Sequence, residues 1–339
     1  MIEDDIKTPE DVRRVLGRNC SFEELLRCSA IAKEDGDLTL RTMVANRALD
    51  VALASRYPPP RREENLTSAA NMIAGVSLAE AESLKDLSKT IETARNTLAE
   101  KTQKSTYKEL PKGMQKVDDL LNKMLLLIDD STPISLVKLG SLLRKEPANR
   151  PGLAIEAADL ALQQESYNSA AEVVRGAALA DLRKYEQAIL SLQAALVKTP
   201  DNKFLLIPLS RAHQGAGNAA QSLTHARHAV KVAPADEYAI RRFIGALRNS
   251  GKIDELQQAL DDLEKFASES PEEHDHWTKY LAIDILIDDS DFDTARQLID
   301  LLPEAVFSYQ TKKIASIKKK LEKAAKAASA PVLRPFPEA

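Results

Sequence analysis

Apolar positions recur every three to four residues along most of this chain, which predicts helices. No run alternates apolar and polar residues long enough to make a strand. Leu25, Leu26, Cys28 and Ala32, followed by Leu40, Val44, Ala48 and Val51, predict a helix pair turning at Asp35-Gly36-Asp37. Pro58-Pro59-Pro60 and the following Arg61-Arg62-Glu63-Glu64 read as a stiff polar connector, with a further helix over about Asn65 to Val76. Leu84, Leu87, Ile91, Ala94 and Leu98 step alternately by three and four, the seam of a coiled coil. Beyond Pro111, a second stripe runs through Met114, Val117, Leu120, Leu121, Met124, Leu125 and Ile128. An antiparallel helical hairpin is the economical arrangement, its seam packed within the chain or used for self-association. Helix starts are marked at Thr8-Pro9-Glu10-Asp11, Ser21 with Glu24, Ser77 with Glu80, and Ser270-Pro271-Glu272-Glu273.

Beyond residue 133 the pattern repeats every 34 residues. Ala154, Ala188, Ser222 and Leu256 form one such series. Ala158, Leu192, Ala226 and Leu260 form a second, and Ala161, Ala195, Ala229 and Leu263 a third. Within each copy the three positions lie at i, i+4 and i+7, one face of a helix. Chain turns follow at Ser166, Pro200, Pro234 and Ser268. Small residues on that face let a second helix approach closely. A unit this short cannot bury its apolar face alone, so copies must stack and share a core.

These residues resemble the tetratricopeptide repeat family over about 133–303, as four regular copies and a degenerate one from Trp277 to Pro303. Leu182-Arg183-Lys184-Tyr185-Glu186-Gln187-Ala188-Ile189 is similar to the start of that family's second helix. Lys198-Thr199-Pro200-Asp201-Asn202 and Val232-Ala233-Pro234-Ala235-Asp236 resemble its turn between repeats. Gly140, Gly176, Ser210 and Gly245 supply a small residue in each first helix. The pair at 21–55 resembles a weaker, isolated copy. Pro208 departs from the pattern, and is tolerable if its helix starts near Phe204, where the missing N–H would go unbonded anyway. The expected fold class is therefore all-α: an α-solenoid of TPR-like helix pairs with an N-terminal helical region (1–76) and a helical hairpin (77–131). The repeats occupy 133–303, a basic capping helix 304–328, and an extended tail 329–339.

Composition narrows the function classes. Of 339 residues, aromatics make up only 4% and glycines number 11, which disfavours sandwiches and barrels. The net charge of −4 argues against a whole-protein nucleic-acid binder. Two cysteines, Cys20 and Cys28, are too few for a disulfide framework and read as inert thiols in a reducing compartment. No secretory signal and no membrane span is expected, which makes the cytoplasm the default location.

Candidate chemistry is sparse. Gly215-Ala216-Gly217-Asn218-Ala219-Ala220 matches a dinucleotide-binding pattern by letters, but no strand precedes it. Gly245 to Lys252 has the wrong spacing for a phosphate loop. Asp289-Ser290-Asp291-Phe292-Asp293 resembles half a calcium loop without its turn glycine, and capping with surface charge explains it better. His225 and His228 could share a helix face, and His274 and His276 flank Asp275, yet neither pair has the further ligands of a zinc site. No catalytic residue, cofactor or metal is expected, and the chain reads as a non-enzyme.

Binding features are stronger. The resemblance implies that the first helix of each pair lines a concave face. That face would carry Val173, Val174, Phe204, Ile207, Arg211, Tyr238, Arg241, Arg242, Arg248, Trp277 and Tyr280. Phe204, Arg211, Tyr238, Arg241, Arg242, Arg248, Trp277 and Tyr280 are the candidate partner contacts, suited to a peptide or helix with an acidic flank. Their alternative reading is plain core and solvated charge. Leu139, Leu143, Val174 and Ala177 stand where relatives that hold acidic chaperone tails carry a polar clamp, which disfavours that ligand. From Asp254 to Asp300, 15 acids face three cations, whereas Lys312 to Lys326 holds seven lysines and one acid. The basic stretch, with its stripe of Phe307, Ile314, Ile317 and Leu321, reads as a cap on the last repeat or as a contact for nucleic acid or an anionic membrane. The expected role is a protein–protein interaction scaffold. The alternatives are a regulatory subunit of an enzyme complex and a nucleic-acid-associated protein using the basic helix.

Overall fold

The computed structural model describes residues 6–54, 58–105, 107, 109–234, 236–251, 256, 258, 277–300, 302 and 308–329. Among these there are sixteen helices and no strand. The chain divides into two compact units, Met1–Leu182 and Arg183–Ala339.

The first unit holds α1 (Pro9–Leu16), α2 (Phe22–Asp35), α3 (Leu38–Ala54), α4 (Pro59–Ala79), α5 (Leu84–Gln103), α6 (Lys112–Asp130), α7 (Pro133–Leu143), α8 (Pro151–Gln164) and α9 (Ser169–Asp181). Thr8 with Asp11 and Ser21 with Glu24 form capping boxes at α1 and α2. Gly36, at φ 79°, supplies the left-handed residue that turns α2 into α3.

Two expectations about α4 are corrected. The proline run is not a connector, because Pro58 is the N-cap and Pro59 and Pro60 form the first helical turn, where no N–H partner is needed. Ser77 and Glu80 make no capping box. Ser77 lies inside α4, between the buried Val76 and Leu78, and Glu80 is the C-cap. The next helix starts after Ser83, where the Leu84 N–H donates to Glu156 of α8 at 3.2 Å. α4 buries Leu66, Ala69, Ala70, Ile73, Ala74, Val76 and Leu78, so it is apolar on most of its circumference and sits at the centre, against α3, α5 and α6.

The predicted seam of α5 is buried throughout, as are Met114, Val117, Leu121 and Met124 of α6. These residues share one core with α4. Arg95 of α5 forks onto Asp118 of α6 at 2.7 and 3.2 Å. The seam is therefore filled from within the unit.

The second unit holds α10 (Tyr185–Leu196), α11 (Lys203–Gly215), α12 (Ala219–Val232), α13 (Glu237–Asn249), α14 (Trp277–Asp288), α15 (Phe292–Asp300) and α16 (Ser308–Ser329). Its core joins Leu206, Phe243, Ile244, Ile283, Leu286 and Leu298 to Ile317 and Leu321 of α16. α16 thus covers an apolar face, and Lys313 and Lys320 reach Asp284 of α14 at 3.5 and 3.2 Å. The helix start at Ser270, Leu260, Leu263, Ser268, His274, His276, Phe307 and the tail from residue 330 lie outside the described residues.

The repeat is visible as periodic backbone chemistry. Ala154, Ala188, Ser222 and Leu256 are buried, as are Ala158, Leu192, Ala226, Ala161, Ala195 and Ala229. Asn168, Asn202 and Asp236, 34 residues apart, each cap a first helix through a side-chain oxygen. Asn149, Arg183, Gly217 and Gly251, again 34 apart, all have positive φ, at 47°, 59°, 80° and 68°. This left-handed residue separates the first helix of a pair from the second. It accounts for the glycine pattern at 215–220 without any nucleotide.

Pro208 stands inside α11, which starts at Lys203, one residue before Phe204. Pro208 offers the Phe204 carbonyl no N–H, and Phe204 is open to solvent. Small residues matter unevenly. A Cβ on Gly140 would meet Val174 Cγ1 at 2.7 Å and the Ala154 carbonyl at 3.2 Å, whereas one on Gly245 would meet nothing within 4 Å. Gly245 is thus not a packing requirement. Gly140→Ala should cost about 1–3 kcal/mol, and Gly245→Ala should gain about 0.5–1 kcal/mol from helix propensity. Urea unfolding of the full chain followed by far-ultraviolet circular dichroism checks both signs.

Candidate functional site

The candidate contacts of the second unit divide into two groups. Phe204 opens α11 and Tyr238 opens α13, 34 residues later, and they are 64% and 76% exposed. α11 and α13 pack against one another. The Lys203 ammonium lies 5.1 Å over the Phe204 ring and pairs with Asp236 at 2.6 Å, which ties the starts of the two helices together. Arg211 is also exposed.

The remaining arginines are engaged inside the unit. Arg241 Nη1 meets Asp289 Oδ1 at 2.9 Å, and its Nη2 meets Glu237 at 3.1 Å. Arg248 bridges Asp289 at 3.2 Å and Asp291 at 2.6 Å. The aspartates resembling half a calcium loop are thus anion partners for α13, and they fasten the α14–α15 turn to it. Burial alone would raise the Asp291 pKa. Hydrogen bonds from Arg248 and Thr294, with the Arg248 charge, outweigh burial and hold it below the ordinary carboxylate value. Arg242 donates to Gln214 and lies 3.4 Å from Ser222 Oγ. Tyr280 is 4% exposed and belongs to the core. Ile207 packs against that core, half-buried. Trp277 is the first residue of α14, and its side chain lies outside the described residues. In the first unit, Val173 is half-buried, and Leu139, Leu143, Val174 and Ala177 are buried.

Sequence reasoning paired His225 with His228 and missed His213. The structure stacks His213 of α11 on His225 of α12, with ring centroids 5.2 Å apart and planes 13° from parallel. His213 is 5% exposed. Its Nδ1 lies 3.5 Å from the Asn218 amide, and its Nε2 has no hydrogen-bond partner among the described residues. His228 turns instead to Asp201, at 2.8 Å. His213 ends a first helix and His225 lies mid-way along its partner. Among the described residues, no three His, Cys, Asp or Glu side chains converge as a metal site would require. Burial pushes the Cys28 thiol up to about 11, far from thiolate chemistry at neutral pH.

Burial lowers the His213 pKa, and burial with the neighbouring histidines lowers that of His225. Both rings are therefore neutral in the folded pair. The unfolded chain takes up protons first, so the stability the neutral pair carries is full above about pH 6.5 and is lost progressively as pH falls toward the folded-state values. Thermal melts between about pH 7 and about pH 5 should show the second unit losing stability. His213→Phe, which keeps a ring against His225, should remove the His213 share of that loss and leave the share that His225 owes to its own burial.

The tetratricopeptide repeat family model matches residues 135–290. No curated protein matches the chain in sequence. Similar solved structures include MamA from Desulfovibrio magneticus RS-1, 14% identical, covering 53% of this chain and 97% of that one at a TM-score of 0.36. A thermophilic TPR protein of Thermus thermophilus is 16% identical, covering 57% and 99%, also at 0.36. A tetratricopeptide repeat protein from Parabacteroides merdae is 15% identical, covering 90% and 98%, at 0.37. The 34-residue register of buried small residues and the family match agree that residues 135–290 are built of TPR-like helical repeats.

Proposed function

We propose that the protein is a non-catalytic interaction scaffold whose repeats hold a segment of a protein partner on the face shared by α11 and α13. The observation that carries this reading is the pair Phe204 and Tyr238. Two large aromatic rings stand exposed at the same position of successive repeats. Exposed aromatics at matched positions suit a peptide whose side chains repeat along its length. Arg211, on the same helix as Phe204, supplies positive charge at this surface and favours an acidic flank. Arg241, Arg242 and Arg248 act indirectly, by fixing α13 against its neighbours. Tyr280 supports α14 from within.

Lys313 and Lys320 pair with Asp284, and Lys320 also with Asp288, which supports a capping role for α16 rather than one on nucleic acid. None of the described helices is long and apolar enough to cross a membrane.

Affinity capture from native lysate would identify the partner, and titration of the captured protein then gives its affinity. Phe204→Ala with Tyr238→Ala should weaken that affinity at least about tenfold, while thermal unfolding stays within about 0.5 kcal/mol of the parent. Unchanged affinity in the folded double variant refutes the α11–α13 assignment.

A further inference from the structure

The first unit contains a polar cleft of about 410 Å³ that the scaffold reading does not use. α2 contributes Ser29 and Lys33, α3 contributes Arg41, and α4 contributes Ser68, Asn71 and Gly75. The fourth wall is the loop between α7 and α8, including Glu146 to Arg150. That loop is an insertion into the repeat. It spans seven residues, whereas the equivalent turns before α10 and α12 span three. Insertions in repeat proteins often build the binding face.

The wall is braced. Arg150 donates both guanidinium ends to the carbonyls of Ala79, the last residue of α4, and Ala81 just beyond it. The Asn149 N–H donates to the Lys145 carbonyl at 2.9 Å. The Pro147 carbonyl approaches α4 where Gly75 leaves room, since a Cβ there would lie 3.0 Å from that oxygen.

The charge inside is unbalanced. Lys33, Arg41 and Arg150 line the cleft with one acid, Glu146, which pairs with Lys33 at 2.5 Å. Arg150 is satisfied by carbonyls, which carry no net charge. Arg41 is partly buried, and no described residue accepts a hydrogen bond from its guanidinium or pairs with it. The Arg41 guanidinium is thus open to a ligand entering the cleft, and its planar fork fits two oxygens of one group. Ser29, Ser68 and Asn71 add neutral hydrogen-bonding groups beside it, within a volume typical of small-ligand sites.

We propose that this cleft binds a small oxyanion, a carboxylate- or phosphate-bearing molecule, through the Arg41 guanidinium, with Lys33 at its rim. The site is independent of the α11–α13 surface.

The test uses the full chain, titrated with sodium phosphate and with sodium succinate against sodium chloride at matched ionic strength, and read by calorimetry and by thermal shift. Saturable binding of phosphate, succinate or both, absent with chloride and weakened at least about tenfold by Arg41→Gln, supports the site. Which anion binds more tightly separates a phosphate ligand from a carboxylate one. Chloride matching both anions, no saturable binding of either, or an Arg41→Gln variant that titrates like the parent overturns it. If circular dichroism shows Arg41→Gln misfolded, Arg41→Lys takes its place. That variant keeps the charge but loses the fork, and should bind the same anion several-fold more weakly. Undiminished affinity in Arg41→Lys overturns the bidentate contact. Phe204→Ala with Tyr238→Ala should leave anion binding unchanged, so either reading can fail alone.

Discussion

The architecture rests on close packing along a stripe of small residues. Ala154, Ala158 and Ala161 in α8, and Ser222, Ala226 and Ala229 in α12, bring a helix surface near a neighbour's backbone. A pair of helices with so little side-chain volume on its inner face gains too little by collapsing alone. Its stability comes from the next helix, as α9 adds to α7 and α8, or α13 to α11 and α12. The stripe also explains a hydroxyl in the core. Ser210 Oγ donates to the Ser222 carbonyl at 2.8 Å, so a polar atom is tolerated where space admits no larger apolar group.

Close packing in turn demands a fixed path between helices. A left-handed residue reverses the chain at the same point of each copy, whether glycine at 217 and 251, asparagine at 149 or arginine at 183. Asparagine tolerates that conformation and glycine welcomes it, whereas arginine at 183 holds it against its ordinary backbone preference. An Asx cap then restarts the next first helix, at Asn168, Asn202 and Asp236. The first repeat keeps this grammar while lengthening its turn, and the extra residues wall a polar cleft without disturbing the register of Ala154.

Much of this was legible in sequence, because burial periodicity is a local property. The spacing of Ala188, Leu192 and Ala195 is enough to predict a buried helix face, and Thr8 or Ser21 announces its own helix. Ser77 misled because a capping signature says nothing of whether its neighbours are buried. Val76 and Leu78 are, and their burial carries α4 through the signal. Pro59 and Pro60 misled for a related reason, since proline is as compatible with a first helical turn as with an extended linker. The His213–His225 stack was illegible because it depends on which faces of two helices meet.

The same limit governs the charges. In sequence, Arg41, Arg241 and Arg248 are alike, each an arginine on an amphipathic helix. Asp289 and Asp291 stand more than 40 residues beyond Arg241 and Arg248, and only the fold brings them together. Those two arginines spend their hydrogen-bonding capacity on the chain itself, so a ligand would have to displace a carboxylate already in place, one of them at 2.6 Å. Arg41 faces a polar cleft with no such competitor among the described residues. A cation's value for recognition lies in whether the fold has left it unpaired, more than in how many cations surround it. By that measure the two proposed surfaces would recognise different chemistry, aromatic on α11 and α13, and cationic beside α3.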